Sequence, residues 1–107
     1  MKLVLKEKEI NIIECKKFKD KLIGLMFKKN FNYGICLKRC SSIHTFFMRE
    51  KIDVIMTNKN LKILYIYNNF KKNRIILPKK GVYYTFELPP NTNTYKVNDI
   101  LKIDIFK

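Results

Sequence analysis

From residue 33 onward the chain is written in short apolar bursts of strand length, and this rhythm leaves few folds open to it. "YGICL" (33–37), "HTFFM" (44–48), "IDVIMT" (52–57), "LKILYIY" (61–67), "VYYTFEL" (82–88) and "ILKIDIF" (100–106) are rich in β-branched and aromatic residues. Polar punctuation separates them. "NKN" (58–60) reads as a tight turn, "NNFKKNR" (68–74) as a polar loop, "LPKKG" (77–81) as a second turn and "PPNTNTYKVN" (89–98) as a longer connection. Upstream, "KLVLKEKEINII" places alternating apolar residues on either side of "KEKE", the pattern of a short N-terminal hairpin or strand pair. Between Cys15 and Lys29 the period changes: Phe18, Leu22, Leu25 and Met26 recur at spacings of three and four, which predicts an amphipathic helix with Gly24 near its end. The expectation is a single domain over residues 1–107, mainly β (α+β): a small β-barrel-like fold of six to eight short strands with one helix in the N-terminal half.

No apolar run approaches the roughly 18 residues needed to span a bilayer. The N-terminus "MKLVLKEKEI" meets charge before a signal-peptide core can form, so the expected location is cytoplasmic. A net charge of +14 invites a nucleic-acid reading. Composition tempers it, because Lys, Ile and Asn make up 46 of the 107 residues, as over-use of AT-rich codons produces, and the lysines are spread along the chain rather than gathered into a basic arm.

Three cysteines are an odd number for a disulfide framework and read as reduced thiols. Cys36, Cys40 and His44 are spaced by four, and Cys15 is a conceivable fourth ligand. Positions eight apart are about 12 Å apart along a helix and more than twice that along a strand, so one zinc ion would need a loop to gather them. Small buried hydrophobes is the simpler reading, and no metal or cofactor is implied. With only Gly24, Gly34 and Gly81 there is no Gly-rich phosphate loop, and Ser41 and Ser42 sit in nothing like a nucleophile elbow.

The stretch "SIHTFFMREKIDV" raises the functional question. It holds the chain's only histidine, one of its three arginines and an aspartate set between Ile52 and Val54. Strand alternation would place His44, Phe46 and Met48 on one side and Thr45, Phe47 and Arg49 on the other. An acid in an apolar strand must be paired or hydrogen-bonded, and Arg49 or Arg74 offers the bidentate fork for Asp53. Glu87 repeats the situation in "YYTFELPP". If these groups converge at one mouth of the sheet, His44, Arg49, Asp53 and Glu87 form a polar cluster walled by Phe46, Phe47, Met26 and Met48.

The ordered set "GLM" (24–26), "SIHTFFMR" (42–49), "ID" (52–53), "ELP" (87–89) and "ND" (98–99) resembles the small bacterial and archaeal family catalogued as domain of unknown function 192. The resemblance spans residues 16–103 and implies a compact β-barrel-like domain. It marks Met26, His44, Phe47, Met48, Arg49, Asp53 and Glu87 as motif positions without assigning any of them a reaction. The chain departs from the family pattern at Glu50 and Lys51, where an aromatic residue and a proline are common, and at Asn91 and Asn98, where glycine is common. Asparagine is the next-best residue for a left-handed backbone, so those turns should survive.

Whether the protein is an enzyme is left open by these residues. The leading expectation is a module binding a small ligand or a partner protein. The alternatives are a hydrolytic enzyme using Asp53, Glu87 and His44, and a nucleic-acid binder using the basic surface.

Overall fold

The computed structural model describes residues 1–15 and 30–104. Its strands are β1 (Lys2–Val4), β2 (Glu9–Cys15), β3 (Gly34–Lys38), β4 (Ile43–His44), β5 (Ile52–Thr57), β6 (Ile63–Phe70), β7 (Ile75–Ile76), β8 (Tyr84–Leu88) and β9 (Ile103–Asp104). Seven of them form one sheet in the order β6-β5-β8-β3-β2-β1-β9, and β4 pairs with β7 in a separate two-stranded ribbon. The N-terminal hairpin forms as its alternation predicts, Leu3 opposite Ile10. So does the β5–β6 hairpin, where the Asn58 side-chain oxygen accepts from the Asn60 and Lys62 amides at 2.9 and 3.0 Å and tightens the turn.

The α+β expectation needs correction. Every described element is a strand, and the molecule is a curled β half-barrel. Cys15, the expected first residue of the amphipathic helix, instead ends β2, because parallel pairing sets it beside Leu37 and buries it. The remainder of that helical stretch, residues 16–29, lies outside the described residues.

The curl brings the two edges of the sheet together at one end. Asn98 donates to Ile63 O and Leu101 to Leu61 O, while the Ile63 amide donates to Asp99 O, each at 2.9 Å. One residue further on, the chain changes partner, with the Val4 amide donating to Lys102 O at 2.9 Å before β9 joins β1. Residues 98–102 thus stitch the β6 edge to the β1 edge, which shelters backbone groups that an open edge would leave unpaired.

Alternation divides the apolar residues into two cores. Leu3, Ile12, Ile55, Ile63, Phe86, Leu88 and Leu101 come from strands across the sheet and from the segment that joins its edges, and fill the inside of the curl. Ile35, Leu37, Ile52, Val54 and Met56 face outward and are covered by Ile43, Met48 and Ile76 of the ribbon region. Gly34 is needed where the strands come closest, since a Cβ there would lie 2.9 Å from the Glu87 carbonyl oxygen and closer still to Leu88 and Ile12.

Candidate functional site

Asp53 is 1% exposed, and its place on β5 opposite Leu88 turns it toward the inside of the curl. Three backbone amides meet its carboxylate. Asn69 donates to Oδ1 at 2.8 Å, and Thr92 and Asn93 each donate to Oδ2 at 2.9 Å. The geometry has a local cause: between the pairs Ile52–Phe70 and Val54–Tyr67, β6 carries one residue more than β5. This bulge, with Asn69 at φ 52°, turns the Asn69 amide toward the acid. On the other side, Thr92 Oγ1 donates to Pro89 O at 2.6 Å and Tyr95 N to Asn93 Oδ1 at 2.8 Å, so the 89–95 loop arrives already folded. The partners of Asp53 are therefore amides, where the sequence suggested an arginine.

Side-chain amides extend this frame to the surface. Asn69 Nδ2 donates to Asn91 Oδ1 at 2.7 Å, and Asn93 Nδ2 to Asn68 Oδ1 at 2.9 Å. Asn91 and Asn98 both adopt positive φ, 62° and 78°, as their replacement of glycine requires. Above the Asn69–Asn91 contact lies an open groove of about 430 Å³ lined by Arg49, Glu50, Lys51, Asn69, Lys72, Pro90 and Asn91. Three cations and one acid line it, and that acid also accepts from the Asn30 amide at 3.1 Å. A second hollow of about 570 Å³ runs past Val4 and Tyr95, but the Tyr95 hydroxyl is spent there on Val4 O.

Glu87 faces the other way. Its register partners Ile35 and Val54 belong to the outer core, so Asp53 and Glu87 lie on opposite faces of the sheet. Glu87 is 5% exposed, and burial pushes its carboxyl up to about 7. His44 sits on β4 beside Ile75, its ring stacked on Phe46 at 5.4 Å between centroids and its Nδ1 buried without a hydrogen-bond partner.

The expected strand "HTFFM" ends at His44 and turns at Phe46–Phe47, with Phe47 at φ 64°. Thr45 causes the break. Its hydroxyl donates to Lys71 O at 2.7 Å and accepts from the Arg74 amide at 2.8 Å, and its backbone bonds Arg74 O and Asn73 N, tying this segment to residues 71–74. The side-chain alternation expected for residues 44–49 is lost: Met48 turns into the outer core, while Phe46 and Phe47 face solvent. Met26 lies outside the described residues.

Of the eight residues singled out from the sequence, Arg49 lines the groove and Asp53 anchors its floor. Lys51, Lys72, Asn69 and Asn91 were missed. Among the described residues no three His, Cys, Asp or Glu side chains are grouped to hold a metal ion. Cys36 is buried, and burial is the main cause that pushes its thiol up to about 12, which suits a packing residue and not a thiolate. No described helix is long and apolar enough to cross a membrane.

This half-barrel, with its acid-anchored loop at one end, is a fold shared with proteins of known structure. It is similar to that of a Sinorhizobium meliloti protein provisionally described as a transcription regulator, with a TM-score of 0.79 and 16% identity over 94% of this chain and 89% of that one. At the sequence level the chain is similar to UPF0127 protein PH1112 of Pyrococcus horikoshii, 35% identical over 78% of this chain and 74% of the relative. UPF0127 protein PF1050 of Pyrococcus furiosus is 33% identical over 78% and 76%. The model of the domain of unknown function 192 family, described as an uncharacterized ACR, matches residues 2–99, and the chain belongs to that family.

Proposed function

We propose that the protein is a small binding module whose site is the groove over Asn69 and Asn91, and that its ligand is a small anion of the carboxylate or phosphate class. The observation that carries this reading is the placement of Arg49, Lys51 and Lys72 around one hollow of about 430 Å³, within the usual range of ligand pockets. Arg49 supplies a planar fork suited to two anionic oxygens, and the lysines supply point charges. The Asp53 network supports the reading too, because it holds the groove's asparagines in place before any ligand arrives. The hydrolytic reading, which needs two of Asp53, Glu87 and His44 within reach of one cleft, has less support: Asp53 and Glu87 occupy opposite faces, the Asp53 oxygens accept from backbone amides, and the buried His44 Nδ1 has no hydrogen-bond partner.

Titration of the labelled protein with inorganic phosphate and with citrate, followed by amide chemical shifts, tests the proposal. The expected result is saturable shifts at residues 49–51, 69, 72 and 91, with Arg49→Ala and Lys72→Ala each weakening binding about tenfold, or about 1.4 kcal/mol. Lys59→Ala, at the distant β5–β6 turn, should leave affinity unchanged. Equal losses from all three variants would mean diffuse attraction to a highly cationic surface and would remove the groove from consideration.

A further inference from the structure

A second surface, separate from the groove except that Lys72 borders both, carries the most exposed aromatic turn among the described residues. Phe47 is 63% exposed and Phe46 39%, and Ile75, paired with His44 on β7, is 56% exposed. Hydrogen bonds and stacking bring Ile75 to the turn: β4 pairs with β7, His44 stacks on Phe46, and Thr45 clasps residues 71–74 through both its backbone and its hydroxyl. Phe47 is held at φ 64°, a conformation that bulky residues avoid. An apolar group of this kind on a surface marks an interaction site more often than a scattered exposed residue does.

The charge around it is of one sign. From residue 54 to residue 86 the chain contains seven Lys or Arg and no Asp or Glu, and from Lys21 to Arg49 it again contains no acid. Lys71, Lys72 and Arg74 are exposed on the segment clasped to the aromatic turn, while Lys79 and Lys80 lie beyond β7, where the Lys79 amide donates to Ser41 O at 3.2 Å. Apolar side chains on a turn and a strand edge, ringed by long cations, match the layered chemistry of an anionic bilayer surface: headgroup phosphates outside, acyl carbon a few ångströms below. A fluid surface of this kind also needs no shaped pocket to receive the phenylalanines.

We propose that the Phe46–Phe47 turn, with Ile75, docks this protein on anionic lipid bilayers, the aromatic tip entering the interface and the flanking cations contacting headgroups. The chain lacks tryptophan, so Phe47→Trp in the full chain gives a single fluorescent reporter at the tip. With vesicles containing phosphatidylglycerol its emission should shift to the blue and be quenched by brominated lipid. Partitioning should be at least tenfold weaker on pure phosphatidylcholine vesicles and should weaken steeply with added salt. Ile75→Ser and a Lys71→Glu/Arg74→Glu variant should each lower partitioning about tenfold or more. Both leave the buried Thr45 clasp intact, and circular dichroism confirms that each variant is folded. Three results would overturn the proposal: emission that does not move when the protein is vesicle-bound, equal partitioning on both lipids, or an equal blue shift with soluble polyglutamate or RNA. The last would assign the surface to an acidic macromolecule instead.

Discussion

Asp53 shows how a single buried side chain can hold two segments of the chain in place. A buried carboxylate is tolerated when its lone pairs are met, and here three amides from two separate segments meet them. That Asp53 needed partners was legible from its position between Ile52 and Val54. Which partners was not, because side-chain identity announces an arginine fork, whereas an amide becomes available only where the backbone turns. The signal lay in Asn68, Asn69 and Asn93, residues that tolerate the required left-handed or turn geometry, but a chain with 11 asparagines hides it. Asp53→Asn keeps the size and replaces one acceptor oxygen by a donor, so at least one amide faces an N–H. With hydrogen bonds to charged groups worth about 1.5–3 kcal/mol each, the expected loss is about 3 kcal/mol, measured as a lower midpoint in urea unfolding. An unchanged midpoint would show that the amides find water as readily as the carboxylate.

Among the elements, those defined by alternation and turn chemistry were readable and those defined by a change of partner were not. The N-terminal hairpin follows from period-two patterning, and the β5–β6 hairpin from two strand-length apolar runs joined by an asparagine turn. "ILKIDIF", by contrast, reads as one strand but is divided, because residues 98–101 bond to the start of β6 and the following residues to β1. "HTFFM" breaks for a different reason: Thr45 offers the backbone of residues 71–74 a local alternative to a continuing ladder. Thr45 is 1% exposed, so Thr45→Val preserves shape while stranding Lys71 O and the Arg74 amide. We expect a cost of about 2 kcal/mol and, more specifically, faster hydrogen exchange at Asn73 and Arg74 than in the β5–β8 centre of the sheet. Uniformly faster exchange across the sheet would instead make Thr45 a general core residue and not the clasp of the ribbon.

For the whole molecule, the two-faced sheet places one ionisable group where the fold favours its neutral form. The barrel-like curl was legible from the number and spacing of the strands, but which acid faced which core depended on register, and the register of β8 against β3 and β5 was set by pairings the sequence does not spell out. Glu87 lies in the outer core, where burial raises its carboxyl from 4.5 to about 7. The folded state therefore holds a proton that the unfolded chain releases between those values. Its contribution to stability is fully present below pH 4.5 and is lost as pH rises through 7, amounting to about 3 kcal/mol. Glu87→Gln cannot ionise. Subtracting its stability from that of the wild type at each pH removes the titration of every other group, and the difference should favour the wild type progressively more as pH falls from 8 to 4.5, with no further change below. At pH 8 the variant should be the more stable protein in guanidinium unfolding. A difference that stays flat across this range would mean that Glu87 ionises in the fold as easily as in the unfolded chain, and that the outer core gives its carboxylate solvation that the sheet's apolar neighbours cannot.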